Sequence, residues 1–303
     1  MLDRWGLVSK KYIYGNRAIT LVLIVLCLAG AAVARSNGSD ALSTAEDLYQ
    51  STDFEGSAAV LDKHSSDAAT NFLLGRDYFM LGDFKKSNEF LLRASNLKPA
   101  SSEYMDWLGR CYGKRAETSN LLSAPGYAAK ARQAFEKAVE LDGKNADALS
   151  DLFDYYLEAP GFLGGGYDKA AVVADRISTF DPAEGYFEKA KLAQKRREFQ
   201  SAEDQLRHAV AVAPHKVGHL IALARFLATE GRSRESDAVL AQAQSINPEA
   251  PEIWFAKADI LIKQKRNLDE AKMLLQKYVQ SPITADDPPK EEARRLLKQV
   301  GGA

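Results

Sequence analysis

The sequence predicts an all-α chain of stacked helix hairpins, and three observations carry that reading. Apolar residues recur at helical spacing in pairs of short segments. The pairs repeat at an interval near 34 residues, and each carries small residues at fixed places. Of 303 residues, 46% are hydrophobic and 27% charged, which suits a globular or repeat chain and argues against a disordered one. With 40 basic against 41 acidic residues, and no basic cluster interleaved with aromatics, no nucleic-acid partner is expected.

The clearest unit runs from Asp67 to Pro99. Leu73, Leu74, Tyr78 and Met80 form one apolar stripe, Leu81-Gly82-Asp83 makes a turn, and Phe84, Phe90, Leu91 and Ala94 form a second stripe. Pro99 stops the second helix because it has no N–H for the ladder. One hairpin cannot bury both stripes, so it needs neighbours. Leu74-Gly75-x-x-Tyr78 returns as Leu108-Gly109-x-x-Tyr112. A small-x3-large pattern recurs at Ser87/Leu91, Ala131/Phe135, Ala202/Leu206, Ser236/Leu240 and Ala271/Leu275. Terminators fall at Pro99, Gly143, Pro182, Pro214, Pro248 and Pro282, spaced by 44, 39, 32, 34 and 34 residues.

On these motifs, residues 67–282 resemble the tetratricopeptide repeat family. Trp254, three residues before Lys257-Ala258-x-x-Leu261, sits where that pattern wants its tryptophan. The resemblance implies a right-handed superhelical solenoid of tetratricopeptide-like helix hairpins with a C-terminal capping helix. Gly75, Gly109, Ala190, Ala224 and Ala258 are expected to admit the second helix of each hairpin closely. Ser87, Ala131, Ala170, Ala202, Ser236 and Ala271 do the same from the other side. Stacked neighbours would then bury one core along the array.

In chain order, residues 1–17 carry Arg4, Lys10, Lys11 and Arg17 against Asp3, and Ala18–Ala34 is uncharged. Ala32-Val33-Ala34 reads as a signal-peptide cleavage site. An uncleaved anchor is the rival reading, since 17 apolar residues are at the short end for a span. Either way the bulk of the chain is expected on the periplasmic, extracytoplasmic side, with membrane contact only through this segment if it is uncleaved. A lipid anchor on Cys27 is disfavoured because Leu26 precedes it. Residues 35–40 are a polar linker, whose Asn37-Gly38-Ser39 reads equally as a glycosylation acceptor or plain linker. Beyond Cys27 the remaining cysteine is Cys111, so a packed free thiol is expected rather than a disulfide framework. Residues 41–283 hold about seven helix pairs, beginning with a weaker copy at 41–65. Residues 284–303 form a cap and tail, with Ala293, Leu296, Leu297 and Val300 on one helix face.

The 44- and 39-residue intervals mark insertions of ten and five residues between the helices of two adjacent repeats. Both contain Ala-Pro-Gly-aromatic, at Ala124–Tyr127 and Ala159–Phe162. Insertions at equivalent points emerge on one edge, so Pro125, Tyr127, Phe162, Leu163, Gly164, Gly165 and Gly166 are rim-loop candidates for partner contact. A longer turn whose glycines accept positive φ explains the same residues. A phosphate loop is rejected, because no Gly-Lys-Ser/Thr follows and no strand precedes.

Little in the chain points to catalysis. His64, His208, His215 and His219 read as polar surface residues, and His215-x3-His219 lacks the glutamate of a zinc helix. No nucleophile elbow or catalytic cysteine motif is present, so no enzyme activity, cofactor or metal is expected.

In proteins of the resembled family the first helix of each repeat lines a concave groove. Projection of the lining positions gives Phe72, Asp106, Ser150, Phe187, Ile221 and Phe255, then Arg76, Arg110, Asp154, Lys191, Arg225 and Asp259. The asparagines of the carboxylate-clamping members are missing, so that specialised role is not carried over. Phe72, Phe187, Ile221 and Phe255 with Arg76, Arg110, Lys191 and Arg225 suit a peptide with apolar anchors and negative charge. The phenylalanines are equally explained by packing against neighbouring helices. The expected function is a non-enzymatic, exported or tethered protein-interaction scaffold. The alternatives are an accessory or recruiting subunit of an envelope enzyme complex, and homo-oligomerisation.

Overall fold

The structure, a computed structural model, describes residues 40–62, 67–284 and 287–301. The apolar N-terminal segment, the linker up to residue 39 and His64 lie outside the described residues. Residue 40, assigned to the linker, already belongs to a helix, α1, at 40–50. There follow α2 (Phe54–Leu61), α3 (Ala68–Met80), α4 (Phe84–Leu97), α5 (Ser102–Thr118), α6 (Ala124–Leu141), α7 (Ala146–Glu158) and α8 (Tyr167–Ser178). The second half comprises α9 (Pro182–Lys195), α10 (Phe199–Val212), α11 (Val217–Thr229), α12 (Ser233–Ile246), α13 (Pro251–Lys263), α14 (Leu268–Gln280) and α15 (Lys290–Gly301). Odd- and even-numbered helices pair as hairpins, giving seven pairs among the described residues and a final single helix.

Local chemistry sets the helix ends. Asp53, Asp67, Asp83, Ser101, Asn145 and Asp181 each accept a backbone N–H of the first turn of the helix they precede. Pro182, read from sequence as a terminator, is the first residue of α9, where a missing N–H costs nothing. The short turns inside five hairpins reverse through left-handed residues: Thr52, Gly82, Arg197 and Gly231 singly, and Lys265 with Asn267 in the α13–α14 turn.

The small residues do what their spacing predicts. A Cβ on Gly75 would meet Leu91 Cγ at 2.6 Å, and one on Gly109 would meet the Phe135 ring at 2.6 Å. Ser87 and Ser236 are fully buried, and their hydroxyls donate to the facing carbonyls of Gly75 and Ala224 at 2.8 Å. Both of these hairpins are therefore closed by a hydroxyl that satisfies a carbonyl across the seam. Core clusters run from α1 to α15, each shared by neighbouring hairpins. Successive first helices, such as α3, α5, α7 and α9, touch one another and form one layer. The cap packs as its pattern predicts: Ala293 and Leu296 are buried, with Leu297 and Val300 against the same cluster. Among the described residues, no helix is long and apolar enough to cross a membrane.

The two long repeats differ from each other. The ten-residue insertion does not form a loop. It lengthens α5 to 17 residues and α6 to 18, leaving only 119–123 between them. Pro125 sits in the first turn of α6, where proline is pre-organised for a helix, and Tyr127 is helical. The five-residue insertion does make a loop, 159–166, with a 3-10 turn at Gly161–Leu163.

The first-helix face and the turn edge

The projected lining residues do fall on the layer of first helices, but they are not equally available. Phe72 and Phe255 are only 7% and 4% exposed. Phe72 stacks on Tyr104 at 4.2 Å between ring centroids, and Phe255 lies 5.2 Å from Tyr278. Neither is free to anchor a partner, because a large side chain there is covered by the neighbouring helices. Phe187 and Ile221 are half-buried, and Arg225 is exposed. They stand on the adjacent helices α9 and α11, whose contact includes Phe187 against His219 at 5.4 Å.

The basic residues of this face are each engaged by aromatic rings or carboxylates. The Arg76 guanidinium lies over the rings of Tyr49 (4.2 Å), Trp107 (4.8 Å) and Phe72 (5.6 Å). Arg110 pairs with Asp106 at 3.0 Å on its own helix and with Asp151 of the next repeat. Lys191 pairs with Glu188 at 3.0 Å and with Asp154 of the preceding repeat. Arg225 reaches Asp259 at 3.8 Å, and Lys263 reaches the same carboxylate at 2.8 Å. These pairs tie one first helix to the next. Burial pushes the Asp106 carboxyl up to about 8, and nearby Asp151 adds to the shift. Burial likewise pushes Glu188 up to about 7, although Lys191 and the Ser150 hydroxyl oppose the shift. Asp106, Asp154 and Asp259 were among the projected lining positions, but Asp151 and Glu188 were not, and the cross-repeat pairs Arg110–Asp151, Lys191–Asp154 and Arg225–Asp259 do not show in the spacing within one helix.

His215 and His208 are exposed, but His219 is buried against Phe187, with Glu184 3.8 Å from its Nε2. Its placement corrects the surface reading, because α11 packs that face onto α9. Burial, and then nearby Lys216, lower its pKa. Among the described residues no group of His, Cys, Asp or Glu side chains is arranged to hold a metal ion. Cys111 is buried and free, as expected, and burial pushes its thiol up, away from the nucleophilic thiolate.

The rim candidates lie on the edge formed by the turns inside each hairpin. Pro125 is exposed in the first turn of α6. Tyr127 is half-buried, stacked on Tyr112 with the Arg115 guanidinium over its ring at 4.2 Å. Phe162 is 83% exposed, while Leu163 to Gly166 are half-buried. Gly164 adopts φ +93°, and a Cβ on Gly165 would sit 1.8 Å from the Ala159 carbonyl oxygen. The glycines thus build the turn itself. Sequence reading missed Leu121 and Leu122, which are 92% and 95% exposed on the same edge. The available signal was two adjacent leucines inside the polar run Ser119-Asn120 and Ser123.

No protein-family model and no curated protein matches the chain. Solved structures do. A thermophilic tetratricopeptide protein of Thermus thermophilus matches at 17% identity and TM-score 0.52, over 63% of this chain and 98% of its own. A tetratricopeptide repeat protein from Parabacteroides merdae matches at 13% identity and TM-score 0.57, over 88% of this chain and 99% of its own. At such identities the likeness concerns the fold.

Proposed function

We propose that this chain, an all-α right-handed superhelical solenoid of tetratricopeptide-type hairpins, is a non-enzymatic scaffold that binds a protein or peptide partner. The observation that carries the reading is the continuous first-helix layer, cross-linked from repeat to repeat by Arg110–Asp151, Lys191–Asp154 and Arg225–Asp259. Such a layer offers a preformed surface, and stacked-repeat proteins use their concave face for extended binding. The half-buried Phe187 and Ile221 with the exposed Arg225 combine apolar area with one exposed cation. Arg76, Arg110 and Lys191 act mainly by holding the layer in register.

Export or tethering remains part of this reading, on the strength of the basic flank and uncharged run in residues 1–34. The functional test compares Phe187→Ala and Arg225→Glu with the unaltered chain against a partner isolated by cross-linking. Truncating Phe187 is expected to cost about 2 kcal/mol of binding, as central anchors do. Reversing Arg225 is expected to alter the association rate and its salt dependence. Unchanged binding by both variants would remove this face from consideration.

A further inference from the structure

Exposed apolar side chains gather on the turn edge. Leu121 and Leu122 stand between α5 and α6, and Phe162 between α7 and α8. Tyr167 of the same repeat, with the Arg196 guanidinium over its ring, and Phe199 and Leu268 of later repeats each begin a second helix and are partly exposed on this edge. The loop that carries Phe162 packs on the side of α6, the helix that follows Leu121 and Leu122, with Gly164 against Arg132.

Both tips are held firmly. The Asn120 side-chain oxygen accepts from the backbone N–H groups of Leu122 and Ser123 at 3.1 Å and from the Ser123 hydroxyl at 2.8 Å. The Tyr155 hydroxyl donates to the Leu163 carbonyl at 2.9 Å, and Gly166 N–H to the Tyr156 carbonyl at 2.8 Å. Leucine and phenylalanine are therefore presented to solvent by built turns, at a standing hydration cost.

The charges around the tips are not balanced. The carboxylates of these segments are each engaged by a cation: Glu117 by Lys114 (2.8 Å), Glu136 by Arg132 (3.1 Å), Glu158 by Lys195 (2.6 Å) and Asp168 by Arg196 (3.6 Å). Arg115 is turned to Asn88 and Tyr127, Lys130 lies over Tyr112 and Tyr127, and Lys169 caps the Gly164 carbonyl. Three positive charges thus remain beside the apolar tips.

We propose that this edge rests on an anionic lipid bilayer, with Leu121, Leu122 and Phe162 entering the interface and the exposed Lys130 and Lys169 beside the headgroups. A protein partner needs a pocket for each anchor, whereas a bilayer receives isolated convex tips of any shape. Basic residues beside the surface add attraction to anionic lipid that salt weakens. The edge is distinct from the first-helix face, so lipid and protein would be bound by different surfaces.

Because residues 1–34 can bring the full chain to vesicles unaided, the test reads the tip itself. The full-length Phe162→Trp chain is mixed with phosphatidylethanolamine–phosphatidylglycerol vesicles, with and without brominated acyl chains. The added tryptophan emission is expected to shift to the blue and to be mostly lost with bromolipid, and Leu122→Trp should behave alike. Both changes should weaken in high salt or when Lys130→Glu and Lys169→Glu are combined. A tryptophan placed on the opposite edge by Val212→Trp should stay unquenched. Unshifted, unquenched emission at 162 and 122 on vesicles that hold the protein would overturn the proposal. So would equal quenching at 212, or a shift that appears only on adding a protein.

Discussion

Asp77 is fully buried in α3, and one of its carboxylate oxygens accepts the Ser57 hydroxyl at 2.9 Å. Burial pushes its pKa up to about 7, against the opposing effects of that hydrogen bond and of Arg76. The native state therefore holds a proton that the unfolded chain releases near 3.8. Stability from this group is fully present below that value and is lost as pH rises through about 7. Asp77→Asn keeps an acceptor for Ser57 and abolishes the titration. It is expected to be more stable than the unaltered chain at pH 8, by on the order of 1 kcal/mol, with the advantage vanishing toward pH 4. Thermal unfolding at several pH values checks this, and a variant less stable at pH 8 would show that the charged form is the favoured one. At this scale the small residues of the repeat were legible in the sequence, because Gly75, Ala202 or Ser236 has one steric reason to be small. Accessibility was not legible: Phe72, Phe187 and Phe255 hold the same position, yet only Phe187 keeps part of its ring exposed.

Helix pairs were readable because each carries its own turn and apolar stripes, and several begin on a capping Asp, Asn or Ser. Insertions were not, since a count of extra residues does not say whether they lengthen helices or leave them. In the α5–α6 repeat, Ala124, Ala128, Ala129 and Ala131 favour helix, so the insertion is absorbed into it. In the α7–α8 repeat, Pro160 and three consecutive glycines prevent that. Gly165 is the residue on which the second loop closes, because its Cα lies against the Ala159 carbonyl. Gly165→Ala is expected to cost about 1–3 kcal/mol and to displace the loop while α7 and α8 persist. Circular dichroism should show unchanged helix content with a lowered melting temperature. An unchanged melting temperature would contradict the close approach.

Across the whole molecule, each hairpin contacts its neighbours and little else, so stability is a sum of repeat and interface contributions. Ala202→Leu would force methylenes into a fully buried seam between α9 and α10, costing on the order of 1–3 kcal/mol. Hydrogen exchange should then quicken in α7–α8 and α11–α12 as well as at the altered pair. Quickening confined to α9–α10 would contradict nearest-neighbour coupling. The solenoid was legible from sequence because its period recurs along nearly the whole chain. The availability of the first-helix side chains was not, because ion pairs such as Arg110–Asp151 depend on how repeats stack. The central claim, that a protein partner lies along the first-helix face, is tested most directly by site-specific photo-cross-linking. A photoreactive side chain is placed in turn at Phe187, Ile221 and Arg225, and at the exposed second-helix positions Val172 and Met273. One shared cross-linked protein is expected from the three first-helix positions and none from the two controls. The same product from Val172 or Met273, with nothing at the first-helix positions, would contradict the claim.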